Sequence, residues 1–110
     1  MKLAPQPFEK VKSRTKTIEM RLNDEKRREV RTGDEIIFTQ VLTGERVLVE
    51  VTALYPFKDF ESLYSAFPPE ALGYGKDEIP SPEDMKKYYT EEQRKKYGVL
   101  GIGIKIKNEL

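Results

Sequence analysis

The chain has 110 residues, 35% of them charged, with 20 Lys and Arg against 19 Asp and Glu and a net charge of +1. The absence of Cys and His excludes disulfides, a thiol nucleophile, thiolate metal sites and the most common general base. The length suits a single domain, residues 1–110, and recurring blocks of Ile, Val, Leu, Phe and Tyr indicate that it is folded. We expect neither a metal nor a cofactor.

The sequence carries no signal for a membrane or a secreted protein. No run approaches 18 apolar residues, and Met1 to Phe8 lacks the apolar core of a secretory signal. These patterns predict a cytoplasmic protein with no membrane partner. Abundant Lys, Arg and Glu without Cys is also typical of heat-adapted, thermostable proteins.

The N-terminal third is predicted to contain a short helix and then a strand. Pro5-Gln6-Pro7 is expected to break structure before the helix, which runs through Phe8–Arg14. The strand covers Thr15–Leu22, where apolar residues alternate with polar ones. A tight turn is predicted at Thr32-Gly33-Asp34.

The middle of the chain is predicted to form a β-hairpin. A strand over Glu35–Leu42 is followed by the turn residues Thr43-Gly44-Glu45 and a return strand over Arg46–Tyr55. Pro56 is expected to end the return strand, because proline cannot donate a backbone hydrogen bond.

The C-terminal half is predicted to add short helices and a final strand. Apolar spacing predicts a helix up to Phe67, and Thr90-Glu91-Glu92-Gln93 matches a capping box. The last strand covers Val99–Lys107, with Gly101 and Gly103 on one face. Two glycines there indicate either the close approach of a helix, backbone or ligand, or the bending of a barrel strand.

Together these elements predict an α+β fold. Strands joined by tight turns favour mostly antiparallel pairing. A small twisted sheet or partly closed barrel, with short helices at its ends, fits the pattern best.

The spacing K-x-x-E-x-R within the first long strand is the main candidate for a functional site. Glu19 and Arg21 are predicted to lie on the solvent face, about 6.6–6.8 Å apart, near enough to share one polar ligand. Lys16 is predicted to lie in the turn before the strand, at the lip of the same surface. The ordinary alternative is a set of solvated charges on a half-buried strand, which the pattern alone favours.

Basic residues are concentrated near the N-terminus. Between residues 10 and 31, nine basic residues oppose four acidic ones. This excess predicts either a phosphate-binding face or a solvated helix surface. Tyr88, Tyr89 and Tyr97 are candidates for stacking on bases, although such aromatic residues more often belong to a core. The nine basic residues are Lys10, Lys12, Arg14, Lys16, Arg21, Lys26, Arg27, Arg28 and Arg31.

Three segments together resemble the ASCH domain (activating-signal-cointegrator homology) of the PUA-like superfamily. Lys16-Thr17-Ile18-Glu19-Met20-Arg21 is similar to the G-x-K-x-x-E-x-R signature, although Arg14 stands where the signature has glycine. Residues 32–38 (TGDEIIF) resemble the GD-x-I-x-F strand entry, and residues 97–102 (YGVLGI) resemble the closing strand.

The resemblance implies a PUA-like β-barrel with helices closing its ends and a cleft lined by the signature. It also implies an RNA or nucleotide-like ligand. The candidate ligand-binding residues are Lys16, Thr17, Glu19, Arg21, Lys12 and Arg14.

Some members of the family are amidohydrolases acting on acetylated cytidine, and at least one is a reported ribonuclease. In the amidohydrolases a threonine three residues after the lysine is the nucleophile, and here that position is Glu19. The amidohydrolase activity is therefore not transferred. The alternative function is a hydrolase acting on RNA or a modified nucleoside, with Lys16 as base and Glu19 as acid or water-orienting group.

Overall fold

The computed structural model describes all 110 residues and shows an α+β fold. A five-stranded sheet, in the order β1-β3-β4-β5-β2, curls into a half-barrel that carries short helices. The strands are β1 (Lys2–Leu3), β2 (Ile18–Leu22), β3 (Glu35–Gln40), β4 (Arg46–Phe57) and β5 (Val99–Glu109). The helices are α1 (Pro5–Lys12), α2 (Phe60–Ala66), α3 (Glu83–Lys86) and α4 (Glu91–Tyr97), with 3-10 turns at Arg27–Glu29 and Pro69–Leu72.

The strand pairing is mostly antiparallel, as predicted, with β1 parallel to β3. The expectation that Pro56 ends the return strand is wrong, because β4 continues to Phe57 and Pro56 lies opposite Leu100 of β5. On its other side, β4 pairs with β3 only as far as Glu50. The missing N–H of Pro56 therefore removes no bond from the sheet.

The N-terminal helix begins earlier than predicted. Both Pro5 and Pro7 lie in the first turn of α1, where backbone N–H groups have no helical partner and proline is tolerated. The strand after it begins at Ile18 rather than Thr15. The intervening chain is tied to the end of α1, since the N–H groups of Thr15 and Lys16 both donate to the Lys10 carbonyl.

Two apolar clusters cover the two faces of the sheet. The first places Phe8 and Val11 of α1 against β3, β4 and β5. The second places Phe60 and Leu63 of α2 against β2 and the start of β5. Because both faces are covered, β2 has no freely solvated side. The buried members of the first cluster are Leu3, Phe8, Val11, Phe38, Val47, Val49, Val51, Leu100, Ile102 and Ile104, and those of the second are Ile18, Met20, Phe60, Leu63, Leu72 and Val99.

The two glycines of β5 differ in what their surroundings require. A Cβ at Gly101 would lie 3.4 Å from Ile18 and 3.6 Å from Leu63, which are ordinary contact distances, so the packing of α2 does not require glycine there. A Cβ at Gly103 would lie 2.7 Å from the Thr52 hydroxyl, where the β4–β5 register shifts at a bulge. The close approach of backbone and the bending of the strand, which the sequence gives as alternatives, therefore both occur at Gly103.

Several local predictions are confirmed. The Thr90 side chain accepts from the Gln93 N–H in a complete capping box, and Gly33 has the positive φ of the predicted turn. Asp59 caps α2 by accepting from the Ser62 N–H. None of the helices has the length and apolar character needed to cross a membrane.

Candidate functional site

The signature side chains of β2 point toward the first apolar cluster, not toward solvent. Glu19 lies opposite Ile102 and Arg21 opposite Leu100 in the β2–β5 register, and opposite residues share a sheet face. The prediction that Glu19 is on a solvated face is wrong, since it is 4% exposed. Sequence alternation alone could not reveal this, because apolar residues also occupy the other face of the strand.

Three charged side chains form a buried cluster. Lys16 Nζ donates to Glu19 Oε1 at 3.0 Å, and Arg21 Nη2 donates to Glu19 Oε2 at 3.1 Å. The backbone N–H of Met20 also donates to Oε1, at 3.0 Å. Oε2 therefore retains one free lone-pair direction, which a ligand donor can use.

The Glu19 carboxyl is held in its ionised form. Burial on its own raises the pKa of this group, but the attraction of Lys16 and Arg21 and their hydrogen bonds outweigh burial, so its pKa lies below the usual value. A general acid must carry a proton at the working pH. The lowered pKa opposes that role for Glu19, and the hydrolase alternative stays a prediction.

Lys16 is buried rather than placed at a rim. Only 6% of the residue is exposed, and its stem passes beside Gly73. Gly73 ends the second 3-10 turn at φ 101°, and a Cβ there would lie 3.1 Å from Lys16 Cδ. Gly73 thus supplies both the left-handed turn and the space that lets the ammonium reach Glu19.

Arg21 connects the two edge strands of the sheet. Its Nη2 donates to the Lys2 carbonyl of β1 at 3.2 Å as well as to Glu19. Because β1 and β2 are the first and last strands of the sheet, the curl brings its two edges together at this point. The signature therefore lies at the seam of the half-barrel.

A cleft opens over this seam. A cavity of about 450 Å³ is lined by Lys16, Glu19 and Arg21 and also by Pro7, Met20, Met85 and Tyr88. A second cavity, of about 520 Å³, shares Lys16, Pro7, Met20, Met85 and Tyr88. We call the space over β2 enclosed by these residues the β2 cleft.

Of the three tyrosines considered for base stacking, only Tyr88 offers a free face at the cleft. It is 63% exposed, and Lys87 Nζ lies 5.3 Å from its ring centroid. Tyr89 also lines the 450 Å³ cavity, but it stacks on Phe60 at 6.1 Å and packs against the second apolar cluster. Tyr97, at the end of α4, lines neither cavity of the β2 cleft.

The other candidate residues lie outside the β2 cleft. Lys12 pairs with Glu45 at the end of α1. Arg14 and Thr17 line a separate cavity of about 220 Å³ beside Lys105. Arg14 is the only residue other than glycine with a positive φ, at 70°, so the left-handed turn before Lys16 is formed here without a glycine.

The basic N-terminal third is largely neutralised within the molecule. Five of its nine cations pair with carboxylates, and Arg28 and Arg31 donate to backbone carbonyls. Only Arg14 and Lys26 have neither kind of partner, so most of these cations are not free to form a uniform phosphate-binding face. The five pairs are Lys10–Glu78, Lys12–Glu45, Lys16–Glu19, Arg21–Glu19 and Arg27–Asp24.

Sequence reasoning missed several residues of the β2 cleft. Lys2, Pro7 and Met85 come from segments whose local patterns carry no functional signal, and only the curl of the sheet brings them to β2. Met20 lies among the alternating apolar residues of its strand, a pattern that predicts only a core position, yet it lines the cleft as well. No group of three or more acidic side chains is arranged to hold a metal ion.

Comparison with known proteins assigns the chain to a family. The model of the ASCH domain matches residues 1–108. The chain belongs to the ASCH domain family. Among solved structures, this ASCH domain is similar to the hypothetical protein PH0355, with 31% identity, a TM-score of 0.78, and coverage of 97% of this chain and 100% of that one.

Two further structures resemble this ASCH domain. Protein PF0455 from Pyrococcus furiosus is 30% identical, with a TM-score of 0.63 and coverage of 96% of this chain and 97% of that one. ZmASCH from Zymomonas mobilis, solved as its S128A mutant, is 14% identical with a TM-score of 0.65 and shares the fold, covering 100% of this chain and 70% of that one. No curated protein matches this ASCH domain significantly.

Proposed function

We propose that the β2 cleft binds one nucleotide unit of single-stranded RNA or a nucleotide-like ligand. The observation that carries the proposal is a buried carboxylate held between two cations at the base of a cleft with an exposed tyrosine on its wall. Membership of the ASCH family, in the PUA-like superfamily, supports the same ligand class.

The side chains of the cleft match the parts of a nucleotide. Tyr88, Met85 and Pro7 present flat or apolar surfaces on which a base stacks. Glu19 Oε2 accepts from an exocyclic amine or a ribose hydroxyl, and Arg21 retains donors that Glu19 and Lys2 do not use. The buried salt bridges hold these groups in place before the ligand arrives.

The size of the cleft favours a single extruded nucleotide over a duplex. A cavity of about 450 Å³ falls in the range of about 300–1,000 Å³ typical of small-molecule sites. Proteins read RNA sequence mostly through unpaired bases that leave the stack, because the major groove of the A-form helix is too narrow for side chains.

The proposal is tested by fluorescence anisotropy with labelled single-stranded RNA and with DNA of the same sequence, across a salt series. We expect tighter binding of RNA, and a loss of about 1–3 kcal/mol in Tyr88→Ala, the usual contribution of one stacked base. Arg21→Ala should reduce selectivity among RNA sequences, because it reads hydrogen bonds within the cleft.

Tyr97→Ala is the matched control, since it removes a tyrosine that lies outside the β2 cleft. No measurable RNA affinity at low salt in the parent protein would remove the proposal. Equal losses in the Tyr88 and Tyr97 variants would show that RNA does not enter the cleft.

A further inference from the structure

Arg27 carries a buried hydrogen-bond donor that nothing in the protein satisfies. Its backbone N–H donates to Asp24 Oδ1 at 3.0 Å, and its Nη1 lies 3.4 Å from Asp24 Oδ2. These contacts fix the side chain at the first 3-10 turn. Asp24 pairs with the guanidinium charge, but the Nε atom is buried and has no acceptor, which is rare because an unsatisfied buried donor is costly.

Arg27 stands between the β2 cleft and a neighbouring cavity. Lys2, Arg21 and Arg27 line both the 450 Å³ cavity of the cleft and a second one of about 600 Å³. Lys26 lines only the second cavity. We call this second space the Arg27 cavity. The shared lining residues place the two cavities side by side, within reach of one ligand that spans Arg21 and Arg27.

The charge of the Arg27 cavity suits an anion. Its four basic side chains face two acidic ones, Glu29 and Asp34. Asp34 is engaged by its own turn, since it accepts from the Arg31 N–H at 2.8 Å. Lys2 and Lys26 are exposed and have no carboxylate within 4 Å, so their charge is available to a ligand.

We infer that the Arg27 cavity is a phosphate subsite, so that the ligand of the β2 cleft is a phosphorylated nucleotide rather than a free nucleoside. The inference rests on the proposed function. A phosphate oxygen would accept from Arg27 Nε after a small rotation of the side chain toward the cavity, and the exposed Lys2 and Lys26 would balance its charge. Arginine suits this role because its Nε and Nη donors form a planar fork that matches two phosphate oxygens.

The test is calorimetric titration at low salt with the four ribonucleosides, their 5′- and 3′-monophosphates, a dinucleotide with a bridging phosphate, and inorganic phosphate. At least one monophosphate should bind ten-fold or more tightly than its nucleoside. Inorganic phosphate should compete with that monophosphate but not with the nucleoside. If the bound group is a backbone phosphate, the dinucleotide should bind at least as tightly as the monophosphate.

Two variants locate the effect. Arg27→Lys keeps the charge but removes the Nε–H donor, and should abolish most of the ratio between monophosphate and nucleoside affinity. Because Arg27 also lines the β2 cleft, this ratio is the readout rather than either affinity alone. Lys26→Gln, at an exposed residue without a carboxylate partner, should lower the ratio partly and leave the urea unfolding curve unchanged. Arg46→Gln is the control, because this exposed arginine lines neither cavity.

The outcomes separate the two proposals. The phosphate subsite alone would be overturned if nucleosides and monophosphates bind equally. It would also be overturned if the ratio of their affinities is unchanged in both the Arg27 and the Lys26 variants. A parent protein that binds no nucleoside, monophosphate or single-stranded RNA would overturn the proposed function and the subsite together.

Discussion

Replacing Glu19 by Gln tests whether the buried cluster stabilises the fold through charge. The variant keeps the shape of the side chain but leaves Lys16, which is 6% exposed, without its counter-charge. Removing one partner of a buried ion pair costs about 3–5 kcal/mol. Arg21 is 18% exposed and keeps its bond to the Lys2 carbonyl, so it adds less to this loss. Urea unfolding at pH 7 measures the difference.

The difference in unfolding free energy between the parent and Glu19→Gln should depend on pH in one direction. The pKa of Glu19 lies below its usual value in the folded state. Its contribution to stability is therefore full above the unfolded pKa and is lost as the pH falls through the folded pKa. The gap between parent and Glu19→Gln should therefore narrow at acid pH. Glu91→Gln, which removes an exposed partner of Lys95, should show no measurable change. A gap below about 1 kcal/mol at pH 7, or one that stays constant at low pH, would refute the reasoning.

Three further changes test the packing around the site, each by urea unfolding. Ile104→Ala should cost about 2–5 kcal/mol, because Ile104 is buried in the first apolar cluster; a cost under about 1 kcal/mol would mean that this face is not core. Arg14→Gly should stabilise the protein by up to about 1 kcal/mol, since Arg14 has a φ of 70°. A loss of stability would show that the left-handed backbone at Arg14 is not strained. Gly73→Ala should cost more than Gly33→Ala, because both have positive φ but only Gly73 touches Lys16; equal costs would exclude that contact.

Much of the fold is predictable from local patterns. The hairpin of β3 and β4, the capping box at Thr90 and the apolar alternation of β5 all depend on neighbouring residues, and all are present. Strand β1 has two residues and pairs with β3 far along the chain, so no local periodicity marks it.

The site is less predictable because the faces of β2 are decided by tertiary packing. The sequence shows that Glu19 and Arg21 share a face, and it identifies Lys16 as their neighbour. It does not show that α2 packs over the opposite face, which turns the charged face inward. Whether Arg27 Nε has an acceptor depends on which atoms of Arg27 Asp24 contacts, and the spacing of residues in the sequence does not reveal this.

The most direct test of the account is an NMR titration of the isotope-labelled protein with a short single-stranded RNA, following backbone amides and arginine Nε–H groups. The account predicts that the largest shifts fall on Met20, Arg21, Met85 and Tyr88 around the β2 cleft, together with the Arg27 Nε–H signal. Shifts confined to the other cavity beside Arg14, or spread evenly over exposed lysines, would contradict the claim that this cleft binds the nucleotide.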